Sequence, residues 1–209
     1  MYKLVAFDQD GVLVDTPSSW ECIHQHLGTR STALQQYRRG EIDDLEFMRR
    51  DIALWLDNGT VHLNDIKDIM DGVPLMPHIK ETVAALRGEG IKTAIVSAGL
   101  DLLSRRVATQ CGIDCILANG LEVDEEGRLT GDGILRVPLR DKGDAFLQLT
   151  KMMGIEPKNC VAVGNSGYDA PMLALSGLGV AFHPMDAVIK GVADVVVHGD
   201  LREILEHIL

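Results

Sequence analysis

Leu4-Val5-Ala6-Phe7 is an unbroken apolar run near the start of the chain, which predicts a central parallel strand covered on both faces. After Val14 the apolar spacing changes from strand to helix period. Trp20, Ile23, His24 and Leu27 recur on one helical face, with Asp15 or Thr16 as the cap, Pro17 in the first turn and Gly28 as the stop. Residues 31–39 read as a shorter helix ended by Gly40. Asp43 or Asp44 opens a third, with Leu45, Met48, Ile52, Trp55 and Leu56 on one face and Asn58-Gly59 at its end. Residues 64–70, closed by Gly72, are a fourth. Together they form a helical insert of about sixty residues, near the smallest size of a subdomain. We expect residues 15–75 to be a cap.

From Pro77 onward the pattern alternates. A helix over 77–87 is followed by strands at 92–97, 114–118, 160–163, 179–182 and 195–197, interleaved with helices at 100–111, 142–153, 170–175, 187–192 and 201–208. Residues 121–124 and 128–131 flank Glu125-Glu126-Gly127 as a hairpin. This alternation signals an α/β fold, a Rossmann-like parallel sheet with helices on both faces, over residues 1–14 and 76–209.

Charge and cysteine usage narrow the function classes. A formal net charge of −11 over 209 residues disfavours nucleic acid or an anionic membrane as a partner of the whole surface. Cys22, Cys111, Cys115 and Cys160 sit in apolar stretches without a CxxC pair or a neighbouring His set, so free buried thiols in a reducing, cytoplasmic compartment are expected. There is no signal-peptide pattern and no apolar run of bilayer-spanning length. The state of assembly is open between monomer and homodimer.

Candidate chemistry collects at strand ends, where ligands of open α/β sheets bind. The first strand runs into Asp8-Gln9-Asp10-Gly11. Alternation lets Asp8 and Asp10 point the same way, and their repulsion calls for a cation or a shared proton. An ordinary turn is the competing reading; a calcium loop is rejected because Val12, Leu13 and Val14 follow. The second strand leads to Ser97-Ala98-Gly99, whose hydroxyl and helix-opening amides suit an anion; Ser97 as a plain helix cap is the alternative. Lys142 opens a helix, where a cation opposes the dipole and needs a partner, unless it is simply solvated. Gly164-Asn165-Ser166-Gly167-Tyr168-Asp169 supplies a carboxamide and a carboxylate in a glycine-flexed loop.

In that order, Asp8-x-Asp10, Ser97, Lys142 and Gly164-Asn165 with Asp169 resemble the haloacid dehalogenase superfamily of aspartate-nucleophile phosphohydrolases, and within it the phosphoserine phosphatase branch. The stretch 118–123, continued by 127–131, is similar to that branch's flap hairpin, as is Met76-Pro77 before its helix. The resemblance implies a phosphomonoesterase acting on a small phosphorylated metabolite. Asp8 would attack phosphorus to form an aspartyl-phosphate, and Asp10 would protonate the leaving oxygen and then activate water. Mg²⁺ would be held by Asp8, the Asp10 main-chain carbonyl and Asn165, with Asp169 serving the metal site by orienting Lys142 or a metal-bound water. Ser97 with the Ala98 and Gly99 amides would hold phosphoryl oxygens, and Lys142 would balance charge.

Four positions depart from or test that pattern. Asn165 stands where the family usually has Asp, and Tyr168 where the branch usually has Asn. Pro17 occupies the place of the Glu that contacts a substrate amine, with Glu21 one turn later, while Arg49 matches the carboxylate-binding Arg and Arg50 is read as solvated. A carboxylated ester without an amine is therefore expected beside phosphoserine. Transfer of the phosphoryl group to another acceptor, or phosphate binding without turnover, are the rival functions. His24, His26, Trp20 and Trp55 read as packing or solvated residues, and His183 has no evident partner in the sequence.

Overall fold

The computed structural model describes residues 1–57 and 59–209. Strands β1 (Leu4–Phe7), β2 (Lys92–Leu100), β3 (Cys115–Val123), β4 (Leu129–Ile134), β5 (Cys160–Gly164), β6 (Leu178–Phe182) and β7 (Val195–Val197) form one sheet in the order β4-β3-β2-β1-β5-β6-β7. All pairings are parallel except β3 with β4. Alternation along β1 divides the core in two. Val5 and Phe7 face helices α5 (Ile79–Gly88), α6 (Asp101–Cys111) and α10 (Leu205–Ile208), whereas Leu4 and Ala6 face α7 (Lys142–Met153), α8 (Ala170–Leu175) and α9 (Ala187–Val192). Both sides of the strand are dry, so it reads as a continuous apolar run.

Between β1 and α5 lie α1 (Ser19–Leu27), α2 (Ala33–Arg38), α3 (Asp44–Leu56) and α4 (Leu63–Asp71). Met48, Ile52, Trp55, Ile66 and Met70 bury their inner faces. Trp20 and Trp55 rings lie 5.1 Å apart, and His24 is buried between Thr29, Trp55 and Asp51. The chain leaves and re-enters the sheet side by side: the Asp15 amide donates to the Pro74 carbonyl and the Met76 amide to that of Leu13, both at 2.9 Å. Beyond this neck α3 packs on β4, Arg49 pairs with Asp132, and the Arg140 guanidinium lies 4.3 Å from the Tyr37 ring centre.

Several boundaries differ from the sequence expectation, each for a local reason. Helix α1 begins after Pro17: Ser18 is its cap and accepts from the Glu21 amide at 3.3 Å. Strand β2 continues through Ala98 and Gly99 to Leu100, with a register shift against β3 after Ser97, so those two amides belong to an extended segment and α6 opens only at Asp101. Strand β3 runs unbroken from the sheet into the hairpin. The final helix is split into a 3₁₀ turn, Leu201–Ile204, and the short α10. Leu45 is exposed, and of the expected end of α3, Asn58 lies outside the described residues. Of the four thiols, Cys111 and Cys160 are buried while Cys22 and Cys115 are half-buried. His183 does have a partner: its ring stacks on Phe182 and its Nε2 lies 2.8 Å from the Gly199 carbonyl.

Candidate active site

Asp8 follows the last residue of β1, and its amide donates to Val163 of the neighbouring β5 at 2.8 Å. The next turn is closed by the Gln9 carbonyl, which accepts from the amides of Val12, Leu13 and Val14. Gly11 has a φ of +77°, and a Cβ there would stand 2.0 Å from Asn165 Nδ2, so glycine is required both by the backbone and by the neighbour. This packing brings the loop after β5 against the loop after β1.

A buried charge relay spans the strand ends. Lys142 Nζ donates to Asp8 Oδ1 at 2.6 Å and to Asp169 Oδ1 at 2.5 Å, and all three residues are nearly inaccessible. Asp169 Oδ2 accepts from the Asn165 and Ser166 amides and from Ser166 Oγ. Neither of its oxygens is uncommitted. Burial and the Asp169 charge push the Asp8 carboxyl well up, against the pull of Lys142. Burial alone would lower Lys142, but Asp169 and Asp8 override it and hold the ammonium above its ordinary value. Lys142 is therefore a fixed cation.

Asp10 is held from the other side. Its Oδ2 accepts from the Ser19 amide and hydroxyl at 2.7 and 2.9 Å, and its Oδ1 from Gln9 Nε2 at 3.1 Å. Gln9 is itself fixed, accepting from Ser104 Oγ at 2.6 Å. Burial raises the Asp10 carboxyl despite those hydrogen bonds. Ser19, Gln9 and Ser104 are functional supports that sequence reasoning missed; the Ser18-Ser19 pair after Pro17 was the available signal, since a serine at a helix start offers both amide and hydroxyl.

Ser97 Oγ accepts from the Gly99 amide at 3.0 Å. A Cβ on Gly99 would lie 2.8 Å from Ser19 Oγ, 2.9 Å from Gln9 Nε2 and 3.1 Å from Ser97 Oγ, so only glycine lets these three polar side chains close on the backbone here. Ser97, Ala98, Gly99, Asp8, Asp10, Lys142 and Asn165 all border one cavity of about 380 Å³, within the usual range for small-molecule sites. Trp20, Leu34, Phe47, Met48 and Leu139 supply its apolar wall.

The donor set fits a hard divalent cation. Asp8 Oδ2 accepts no hydrogen bond among the described residues, and Asn165 Nδ2 donates to the Asp10 main-chain carbonyl at 3.1 Å. A carboxylate, a main-chain carbonyl and a carboxamide are thus neighbours, and with the amide turned to present its oxygen they would make an all-oxygen set suited to Mg²⁺. Asp8, Asp10 and Asp169 also outnumber the one ammonium beside them, and this acidic excess favours a cation. Asn165 in place of a carboxylate makes the site less charged.

One expected residue is elsewhere. Arg49 points away from the cavity, with Nε 2.5 Å from Asp132 Oδ1 on β4 and the pair about half exposed. Arg38, at the end of α2, borders the cavity instead, as do Pro17, Asp44 and Tyr168. Arg50 is exposed and bound to Glu46 and Gln36, and Glu21 is exposed.

Known proteins resemble this chain in sequence and in fold. A family model described as haloacid dehalogenase-like hydrolase matches residues 2–177. A phosphoserine phosphatase of Albidiferax ferrireducens is 33% identical over 219 residues, covering 98% of this chain and 89% of the relative. The phosphoserine phosphatase of Idiomarina loihiensis is 32% identical, covering 97% and 91%. A solved phospho-aspartyl intermediate analogue of phosphoserine phosphatase superposes with a TM-score of 0.82 at 26% identity, covering 99% of this chain and 98% of that one. A family model over most of its length and relatives at 32–33% identity along nearly the whole of it show that the chain belongs to the haloacid dehalogenase-like hydrolases and is a phosphatase of phosphoserine phosphatase-like type.

Proposed function

We propose that the protein is a Mg²⁺-dependent phosphomonoester phosphatase that works through an aspartyl-phosphate on Asp8, with a small, carboxylated phosphate ester such as phosphoserine as substrate. The observation that carries this reading is the division of labour between the two aspartates. Asp8 has one oxygen on Lys142 and the other uncommitted, as a nucleophile requires. Asp10 borders the same cavity without a hydrogen bond to Lys142 and is held by the Ser19 amide and hydroxyl, placed as a proton donor to the leaving oxygen requires.

The ester's phosphoryl oxygens lie against Ser97 and Ala98, with the Ser97 hydroxyl, fixed by the Gly99 amide, donating to one of them. Asp8 attacks phosphorus from one side while Asp10 delivers its proton to the leaving oxygen. The same carboxylate then takes a proton from water as the acyl phosphate is hydrolysed. Lys142 holds Asp8 in position and offsets negative charge in both steps, and Asp169 keeps Lys142 in place. Asp8, the Asp10 carbonyl and Asn165 would hold Mg²⁺, which when bound neutralises charge between nucleophile and phosphate.

The test is phosphate release from a panel of phosphorylated metabolites in excess Mg²⁺, with Asp8→Asn purified in parallel. Release that depends on Asp8 is expected. Undiminished release by Asp8→Asn would exclude the covalent route, and phosphate appearing on an added alcohol in preference to water would reassign the protein as a phosphotransferase.

A further inference from the structure

The cavity has a second charged end that the phosphoryl chemistry does not use. Arg38 donates from Nε to Tyr168 Oη at 3.3 Å, and its two terminal nitrogens have no acceptor among the described residues. Tyr168 belongs to the loop after β5, so this contact joins the helical insert to the loop that carries Asn165 and Asp169. Asp44, the first residue of α3, accepts at Oδ1 from the Leu139 amide at 2.7 Å and shares the Tyr37 hydroxyl across both oxygens at 3.2 and 3.3 Å. No basic side chain lies within 4.0 Å of it among the described residues.

A guanidinium and a carboxylate thus border one cavity without pairing with each other or with any other charge. Opposite charges left apart in a partly apolar enclosure attract a ligand that carries both. Of the other carboxylates bordering the cavity, Asp8 is paired with Lys142, Asp10 belongs to the phosphoryl end, and Asp186 is held by the amides of Gly167, Val188 and Ile189 as the cap of α9; Asp44 accepts from Leu139 and Tyr37 and lies on the helical insert with Arg38.

Resting on the phosphatase reading above, we infer that Arg38 and Asp44 form the specificity subsite for a zwitterionic leaving group, Arg38 binding its carboxylate and Asp44 its ammonium, with Tyr168 as the residue that positions Arg38. This assigns both contacts to residues other than Arg49 and the Pro17 position. It also restores an amine-bearing substrate, which Pro17 alone would argue against.

Four esters separate the charges: phosphoserine carries both, 3-phosphooxypropanoate only the carboxylate, phosphoethanolamine only the ammonium, and propyl phosphate neither. Each lost charge-assisted hydrogen bond is expected to lower kcat/KM about 10–100-fold. Arg38→Gln should do so for phosphoserine and 3-phosphooxypropanoate and leave the other two within about 2-fold. Asp44→Asn keeps an acceptor for the Leu139 amide and should act on phosphoserine and phosphoethanolamine alone. Tyr168→Phe should raise KM for the two carboxylated esters with kcat unchanged, and Arg49→Gln should alter none of the four. Equal losses on all four esters in Arg38→Gln and Asp44→Asn, while Asp8-dependent turnover of propyl phosphate persists in the parent, would overturn the subsite and leave the phosphatase reading standing. Absence of Asp8-dependent turnover with every ester would remove both.

Discussion

Replacing Lys142 by Met isolates what the buried relay contributes. Lys142 is 3% exposed, and its ammonium lies 2.6 Å from Asp8 and 2.5 Å from Asp169. Met fills the volume of the aliphatic stem, so the cavity penalty is small and the loss reports the charge. Removing one partner of a buried ion pair leaves an uncompensated charge, at a cost of about 3–5 kcal/mol. In a chain of this size that corresponds to a fall in Tm of roughly 2–4 °C per kcal/mol. The assay is urea unfolding in EDTA near about pH 7.5, repeated in an Asp8→Asn background. There only Asp169 is stranded, and its Oδ2 still accepts from Asn165 and Ser166. The same Lys142→Met change should then cost less, by about 1–3 kcal/mol of coupling.

The sign with pH follows from Asp8. Its carboxyl is already raised by burial and by Asp169 against the pull of Lys142, and losing Lys142 raises it further. A carboxyl raised in the folded state destabilises the fold above its folded pKa, and the penalty fades as pH falls toward the unfolded value. Lys142→Met should therefore be less damaging near about pH 5.5 than near about pH 7.5. Equal penalties in the two backgrounds, or one below about 1 kcal/mol in the Asp8 background, would show that the relay is not the coupled buried pair its geometry implies.

Asp10→Asn should lower kcat by roughly 10²–10⁴-fold, measured as phosphate release, with least effect on esters whose leaving group needs no proton. Gly99→Ala drives a methyl to 2.8 Å of Ser19 Oγ and 2.9 Å of Gln9 Nε2, both buried and hydrogen-bonded; it should lower kcat/KM by about 10²-fold and cost about 1–3 kcal/mol of stability. Burial would raise the Asp186 carboxyl, but the amides of Ile189, Gly167 and Val188 more than offset it and hold it below the carboxylate range. Its contribution as the cap of α9 is thus present above the unfolded carboxylate pKa and lost as pH falls through the folded one. Asp186→Ala should cost about 0.5–2 kcal/mol near neutrality and nothing once acid has protonated the wild-type carboxyl, as read by thermal melts across pH. Gly177→Ala places a Cβ 1.9 Å from the Lys158 main-chain oxygen, which cannot rotate away, and should cost at least about 1–3 kcal/mol in the same melts.

What the sequence made legible was set by burial on both faces of the sheet. Leu4 to Phe7, the apolar part of β2, and Cys160 to Val163 are dry on both sides, so their runs are unambiguous and their polar ends stand out. Asp8, Ser97, Lys142 and Asn165 lie at or just beyond those ends, or at the helix that follows, and are brought to one cavity by the parallel register that pairs Phe7 with Ile95 on one side and Val163 on the other. The cap offered no such anchor. The periodicity of α3 correctly turned Met48, Ile52 and Trp55 inward, but a helix period says which residues share a face and not what stands opposite. Arg49, one step of about 100° from Met48, consequently meets Asp132 on the hairpin. Arg38 lies at the end of a six-residue helix beside Arg39 in a polar stretch, where no periodicity marks one arginine over the next. Its place against the cavity is set by Tyr168, 130 positions away in the chain. The cluster of Asp8, Ser97, Lys142 and Asn165 is therefore written in local sequence, whereas the Arg38 end of the cavity arises from contacts between the insert and the core that only the folded chain defines.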